Sequence, residues 1–405
     1  MTPRYYSLDV FRGATVAFMI LVNNPGTWSH IYAPLEHAKW HGITPTDLVF
    51  PFFLFAVGNA MAFVMPRLES AGSTVFWKKI LKRTALIFLI GLLLNWFPFV
   101  HWQDNELVAI SWTWVKPDGT VAGVRILGVL QRIALCYFFA SVIIYYGKTR
   151  GAFVTGLIIL LLYWALCIVG NPSDPYSLQG WFGTAIDKAI LGEAHMYKGE
   201  GVAFDPEGLM STLPAIVQVI FGFLVGDYIR RRGLFVLETG LDKSPVNPIY
   251  HTLTVLLMAA VALLFTGYIW DYSFPINKKI WTSSYVVYTS GLAILVLCTL
   301  VFFIEVRKAS GWWSRFFDVF GKNPLFIYAL SGLIPELLWL IRIPSGVNTA
   351  GETEYTNPWS WFYQNVTAKT PGLPENGSLL FALTFVALLW AIAYWMDKKK
   401  IYIRV

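Results

Sequence analysis

Charge is what this chain has least of. Only 14% of its 405 residues are Asp, Glu, Lys or Arg, against about 25% in ordinary soluble domains. A freely soluble globular fold is excluded on that ground. Cysteine is scarce too: Cys136, Cys167 and Cys298 each fall inside an apolar run. A thiol placed there behaves as a small hydrophobe, which leaves neither a disulfide framework nor a cysteine metal cluster. No internal repeat is visible, which speaks against inverted-repeat transporters. A basic patch is also missing. The net charge of +7 is spread over the flanks of apolar segments, so no nucleic-acid partner is expected.

What is present is hydrocarbon. Hydrophobic residues make up 56% of the chain and aromatics 17%, with 18 Trp, and mean hydropathy is +0.55. Amphipathic rings of this kind line membrane interfaces. A bilayer core needs about 20 apolar residues per helix. Runs of that type predict ten spans near residues 8–24, 48–66, 80–99, 126–146, 153–170, 209–228, 251–270, 283–304, 319–341 and 379–396. The expected class is an all-α polytopic membrane protein, with residues 1–405 forming one transmembrane domain in the lipid bilayer. The first span holds Asp9 and Arg12. Its apolar core is short and no small-residue cleavage site follows, so it reads as a retained helix and not a signal peptide.

Basic residues orient the spans. Of the 31 Lys and Arg, 21 lie on one set of alternate connectors and 9 on the other, with Arg132 inside a span. The bias alternates along the whole chain, which predicts that both termini are cytoplasmic. The long segments 23–47, 100–125, 171–208 and 343–378 then lie on the opposite side.

The first of these is unusually polar. It reads NNPGTWSHIYAPLEHAKWHGITPTD and carries His30, His37 and His41, three of the six histidines. Three chemistries fit it. His37 and His41, four apart, would share a helix face and could bind a metal with Glu36 or His30, but no zinc signature is present. The histidines could be structural beside Trp28 and Trp40. Or one could serve as a general base, with Asn23 giving an amide to an oxyanion.

Polar groups within spans cost about 2.5–3.5 kcal/mol each at a helix centre. Asp9 and Arg12, three apart, can pair with each other or meet a ligand. Gln131 and Arg132 have no adjacent acid, and a guanidinium suits phosphate. Asp47 opens the second span and can cap it. Asp205 and Glu207, in Asp205-Pro206-Glu207-Gly208, read as a turn or as a ligand site. Asp227, beside three arginines, reads as a surface charge pair.

Several blocks resemble one family. They are SLDVFRG at 7–13, HAKWHGITPTDLVFPFFLFAVG at 37–58, GVLQRIALCY at 128–137, FDPEGLMSTLPAIVQVIFGFLVG at 204–226 and PINKKIWTSSYV at 275–286. Together they resemble the transmembrane acetyltransferases related to heparan-α-glucosaminide N-acetyltransferase, and in particular their bacterial members. The first helix begins near residue 7, so the expected chain lacks the lysosomal enzyme's N-terminal luminal region.

The resemblance implies transfer of an acetyl group from cytoplasmic acetyl-CoA to an amino sugar, such as glucosamine or a terminal glucosaminide, on the periplasmic side of a bacterial inner membrane. It implies a homodimer and no metal. His37 corresponds to the active histidine and Asn23 to the asparagine near the end of the preceding helix. Arg12, Gln131, Arg132, Asn277 and Lys278 become candidates for holding acetyl-CoA, and Trp40, Asp47, Asp205 and Glu207 for holding the sugar. Direct transfer and an acetyl-His37 intermediate both remain open. So do an amino-sugar transporter and an O-acetyltransferase of an envelope polysaccharide.

Overall fold

A computed structural model describes residues 5–403, except 104, 117, 233–247, 348–350 and 352. Arg4, Lys243 and Arg404, which enter the basic-residue count, lie outside the described residues.

Each of the ten predicted spans coincides with helix. The first three are α1 (Tyr6–Asn23), α2 (Val49–Ala71) and α3 (Ser73–Trp96). The fourth and fifth form one assigned helix, α4 (Val129–Gly170), interrupted at Lys148, whose φ of 53° is not helical. The two legs run in opposite directions. Arg132 on the first and Tyr163 on the second both reach the 280–281 turn, whereas Thr149 at the break bonds Asp227 at the far end of α6. A short helix, α5 (Gly183–Leu191), then leads to α6 (Leu209–Arg232). The remaining helices are α7 (Pro248–Asp271), α8 (Ser283–Val301), α9 (Trp312–Lys322), α10 (Pro324–Trp339), α11 (Pro358–Asn365) and α12 (Pro374–Lys398).

Among the described residues, six helices are long and apolar enough to cross a membrane, and the bent α4 is one of them. They account for seven of the ten predicted segments. The other three are α1, α3 and α10; α10 is apolar but only 16 residues long.

Helices meet closely where glycine permits it, as expected when packing must hold a bundle in lipid. A Cβ added at Gly58 of α2 would lie 1.9 Å from the Val219 carbonyl oxygen of α6, and one at Gly222 would lie 2.0 Å from that of Phe55. Gly13 of α1 approaches Phe317 of α9 in the same way, at 1.8 Å.

Among the described residues, three antiparallel hairpins, not anticipated from the sequence, decorate the long connectors. They are β1 (Val100–Gln103) with β2 (Glu106–Ala109), β3 (Thr113–Val115) with β4 (Val121–Gly123), and β5 (Ile343–Val347) with β6 (Thr353–Thr356). Their strands of three to five residues are too short to stand out as alternating apolar and polar patterns.

Candidate active site

The histidine connector is irregular over residues 36–43 and closes with a single 3-10 turn, Pro45–Leu48, before α2. His37 and His41 therefore do not share a helix face. His41 turns toward Asn277, with Nδ1 and Nδ2 3.4 Å apart, and burial lowers its pKa.

His37 and Asp47 come together instead. His37 Nδ1 lies 2.7 Å from Asp47 Oδ1. The other carboxylate oxygen accepts from the backbone N–H of Ala38 and of Thr44, each at 3.0 Å, and from the Thr44 hydroxyl at 3.1 Å. Asp47 is thus both the cap of the 3-10 turn and the clamp on the histidine. It is 1% exposed, whereas the His37 side chain is 38% exposed, so the buried acid holds a ring that solvent can reach. With the Nδ1 proton directed at Asp47, Nε2 carries the free lone pair.

The turn between α7 and α8 forms the opposite wall. Lys278 Nζ lies 3.0 Å from His37 Nδ1, 3.4 Å from Nε2 and 3.5 Å from Asp47 Oδ1. Burial lowers the Lys278 pKa, against the opposing pull of Asp47 and Glu207. Two backbone contacts fasten the connector to this turn. Gly42 N–H donates to the Ile276 carbonyl at 2.8 Å, and Lys279 donates to the Lys39 carbonyl at 2.7 Å while pairing with Glu200. Tyr285 of α8 donates to the Asp47 carbonyl at 2.5 Å. Asn277 is buried; its side-chain oxygen accepts from Ile280 N–H at 3.0 Å, so it shapes the turn that presents Lys278.

Beside this pair lies a second charged group. Arg125 forks onto Asp205, with Nε at 3.1 Å and Nη2 at 2.6 Å, and reaches Glu207 at 2.5 Å. Burial works against the Arg125 charge, but Glu207 and Asp205 outweigh it and raise its pKa. Burial likewise opposes the Glu207 charge, and Arg125 and then Arg132 hold its pKa below the usual range. Asp205 also accepts from Glu207 N–H at 3.0 Å, so the Asp-Pro-Glu-Gly segment is both a turn and an ion-pair site. Asp187 of α5 accepts from Leu209 N–H at 2.8 Å under this turn. Burial, aided by the charge of Asp205, pushes its pKa up to about 6.

Arg132 is fully buried, lies 4.9 Å over the Trp281 ring and donates to the Ser211 hydroxyl. Among the described residues its Nε and Nη1 have no partner, and neither does Gln131 Nε2. Buried donors left open in this way call for an acceptor.

The remaining candidates are more dispersed. Arg12 pairs with Asp9 at 2.8 Å and donates to the Gly321 carbonyl, tying α1 to α9 at the end of α1 away from the histidine connector. Trp40 donates to the Tyr176 carbonyl at 2.8 Å and lies 5.6 Å from the Phe204 ring. Asn23 ends α1 in an exposed position, and among the described residues its side chain makes no hydrogen bond to His37. Asp227, read as a surface pair, is 2% exposed and held by Arg230, Arg231 and Thr149. Arg125 was missed because it enters the sequence only as one base in a connector. Its partner lies 80 residues away.

Residues 4–188 match the family model described as heparan-alpha-glucosaminide N-acetyltransferase, catalytic. That stretch holds the His37–Asp47 pair, Arg125, Arg132 and Asp187. The chain is 25% identical to heparan-alpha-glucosaminide N-acetyltransferase from Homo sapiens over 456 aligned residues, covering 99% of this chain and 60% of the relative. It is 25% identical to the Mus musculus protein of the same name over 374 residues, covering 80% of this chain and 53% of the relative. The chain thus spans a little over half the length of the curated relatives it matches. With the catalytic-region match added to similarity over nearly all of its length, the chain is similar to heparan-alpha-glucosaminide N-acetyltransferases.

Proposed function

We propose that this protein transfers an acetyl group from acetyl-CoA, taken from the cytoplasmic side, to the amino group of a sugar on the opposite side. The observation that carries the reading is the His37–Asp47 pair. A solvent-accessible imidazole is oriented through Nδ1 by a buried carboxylate and flanked by Lys278. That is the arrangement general base catalysis requires.

In this reading His37 Nε2 takes a proton from the acceptor amine as its nitrogen attacks the thioester carbonyl. The carbon–sulfur bond then breaks, and the imidazolium returns its proton to the leaving thiolate of CoA. Lys278 and Asn23 stabilise the negative charge that develops on the carbonyl oxygen. Arg132 and Gln131 supply buried donors for the acetyl-CoA arm, and Asn277 keeps Lys278 in place. An apolar cavity of about 490 Å³ along α1, between Phe316 and Phe317 at one end and Pro45 and Leu48 at the other, offers that arm a passage. Arg12 lies toward the inner end, where the nucleotide phosphates would be met. Trp40 and Glu207 face the sugar, and Asp205 holds Arg125 and the turn that presents Glu207.

The test is vectorial. Vesicles containing the purified protein receive acetyl-CoA on the side of Lys398–Lys400 and glucosamine on the other. Release of CoA with formation of N-acetylglucosamine supports the reading. Passage of unmodified glucosamine without CoA release contradicts it in favour of transport, and an O-acetylated product moves the assignment to O-acetyl transfer.

A further inference from the structure

Away from the His37 site, the β1–β2 and β5–β6 hairpins enclose a cleft of about 680 Å³ at the end of α10. Its volume falls in the range of small-molecule sites, about 300–1,000 Å³. Three rings line it: Trp102 of β1, Trp339 at the end of α10 and Tyr355 of β6. The Arg342 guanidinium is set between two of them, 4.1 Å from the Trp102 ring centre and 5.2 Å from that of Tyr355. It donates to Asn105 Oδ1 at 2.7 Å. Trp102 Nε1 donates to the Leu340 carbonyl at 2.9 Å, which locks the first hairpin onto α10. Asn357 also lines the cleft, and its side-chain oxygen caps α11 by accepting from Ser360 N–H at 2.8 Å.

The chemistry of this lining is specific. Trp339 remains 62% exposed and Tyr355 46%, so flat apolar faces are presented to solvent within a rim of amides and one planar cation. A greasy pocket would offer no donors, and an anion site would not need the rings. A pyranose uses both, with its C–H face on an aromatic ring and its hydroxyls on planar side chains. The geometry points to a saccharide-binding cleft, distinct from the His37 site, formed by Trp102, Trp339, Tyr355, Arg342, Asn105 and Asn357. It lies on connectors that leave the bundle at the same end as the histidine connector, because α1, α3 and α10 all finish there. It would therefore hold a second part of an extended glycan whose terminal sugar sits at His37, and the local contact would add to the first as an effective concentration. That extension rests on the acetyl-transfer reading; saccharide binding by the cleft does not.

The experiment is calorimetric titration of the purified full chain with a linear glucosamine tetrasaccharide. It compares wild type, His37→Ala and the double variant Trp339→Ala/Tyr355→Ala, which leaves the structural Trp102 intact. The expected result is binding by the first two alike and a roughly tenfold weaker affinity in the cleft variant, as loss of two ring contacts implies. The cleft variant should also acetylate free glucosamine as wild type does, while its KM for the tetrasaccharide rises. Equal affinity in all three proteins, no binding by any of them, or a cleft variant that changes only its oligomeric state would each overturn the proposal. Loss of transfer by wild type with cleft binding intact would count against the acetyl-transfer reading alone.

Discussion

His37 and Asp47 are joined through a single 2.7 Å contact between Nδ1 and a carboxylate oxygen, and the acid is buried while the base is open to solvent. They stand ten positions apart in the chain. Their proximity is produced by the 3-10 turn at Pro45–Leu48, which swings the carboxylate back under the histidine.

Replacing Asp47 by Asn tests what that contact does. The amide keeps the shape and can still accept from the Thr44 and Ala38 backbone, so the connector should fold. It no longer fixes the Nδ1 proton, and the ring should populate the wrong tautomer. Turnover is expected to fall on the order of 10²–10⁴-fold while acetyl-CoA affinity is kept. Steady-state kinetics beside direct binding measurements would check both.

Arg125 tests the neighbouring cluster. Its guanidinium answers two buried carboxylates, Asp205 and Glu207, and breaking such a pair by removing one partner costs about 3–5 kcal/mol. Arg125→Met should therefore lower the melting temperature strongly. Asp205→Asn should also lower it, and should raise the KM for the sugar less than Glu207→Gln does, because Asp205 acts only through Arg125 and the turn that presents Glu207. Thermal unfolding in detergent, measured beside KM, separates the two effects.

Asp187 supplies a pH signature. Its carboxyl is raised to about 6, first by burial and also by Asp205. A raised acid holds its proton longer in the folded state. The associated stability is full below the unfolded-state value and is lost as pH rises through about 6. Wild type should melt at progressively lower temperature as pH is raised from about 4 to about 6.5 and level off above that. Asp187→Asn keeps an acceptor for Leu209 N–H without the charge. It should flatten that dependence and be more stable at the upper end by up to about 3 kcal/mol.

Much of the helical frame was legible in the sequence because apolar length is a local property. All ten predicted segments fall on helix, and the break at Lys148 separates two of them. The residues of the site were legible one at a time. His37, Asp47, Lys278, Asp205 and Glu207 were all singled out, but that Asp47 and Lys278 both flank the histidine was not. Those relationships depend on how connectors 10 to 241 residues apart fold back on one another, and no periodicity encodes that. Arg125 was invisible for the same reason. The hairpins went unseen because their strands are too short to carry a pattern, and the aromatic cleft between them could not be read at all.

The central claim is that the His37 imidazole moves the proton during acetyl transfer. The direct measurement is CoA release by His37→Ala with saturating acetyl-CoA and glucosamine, alongside its melting temperature and acetyl-CoA affinity. Near-complete loss of turnover is expected, with both other quantities unchanged. Turnover equal to wild type would contradict it.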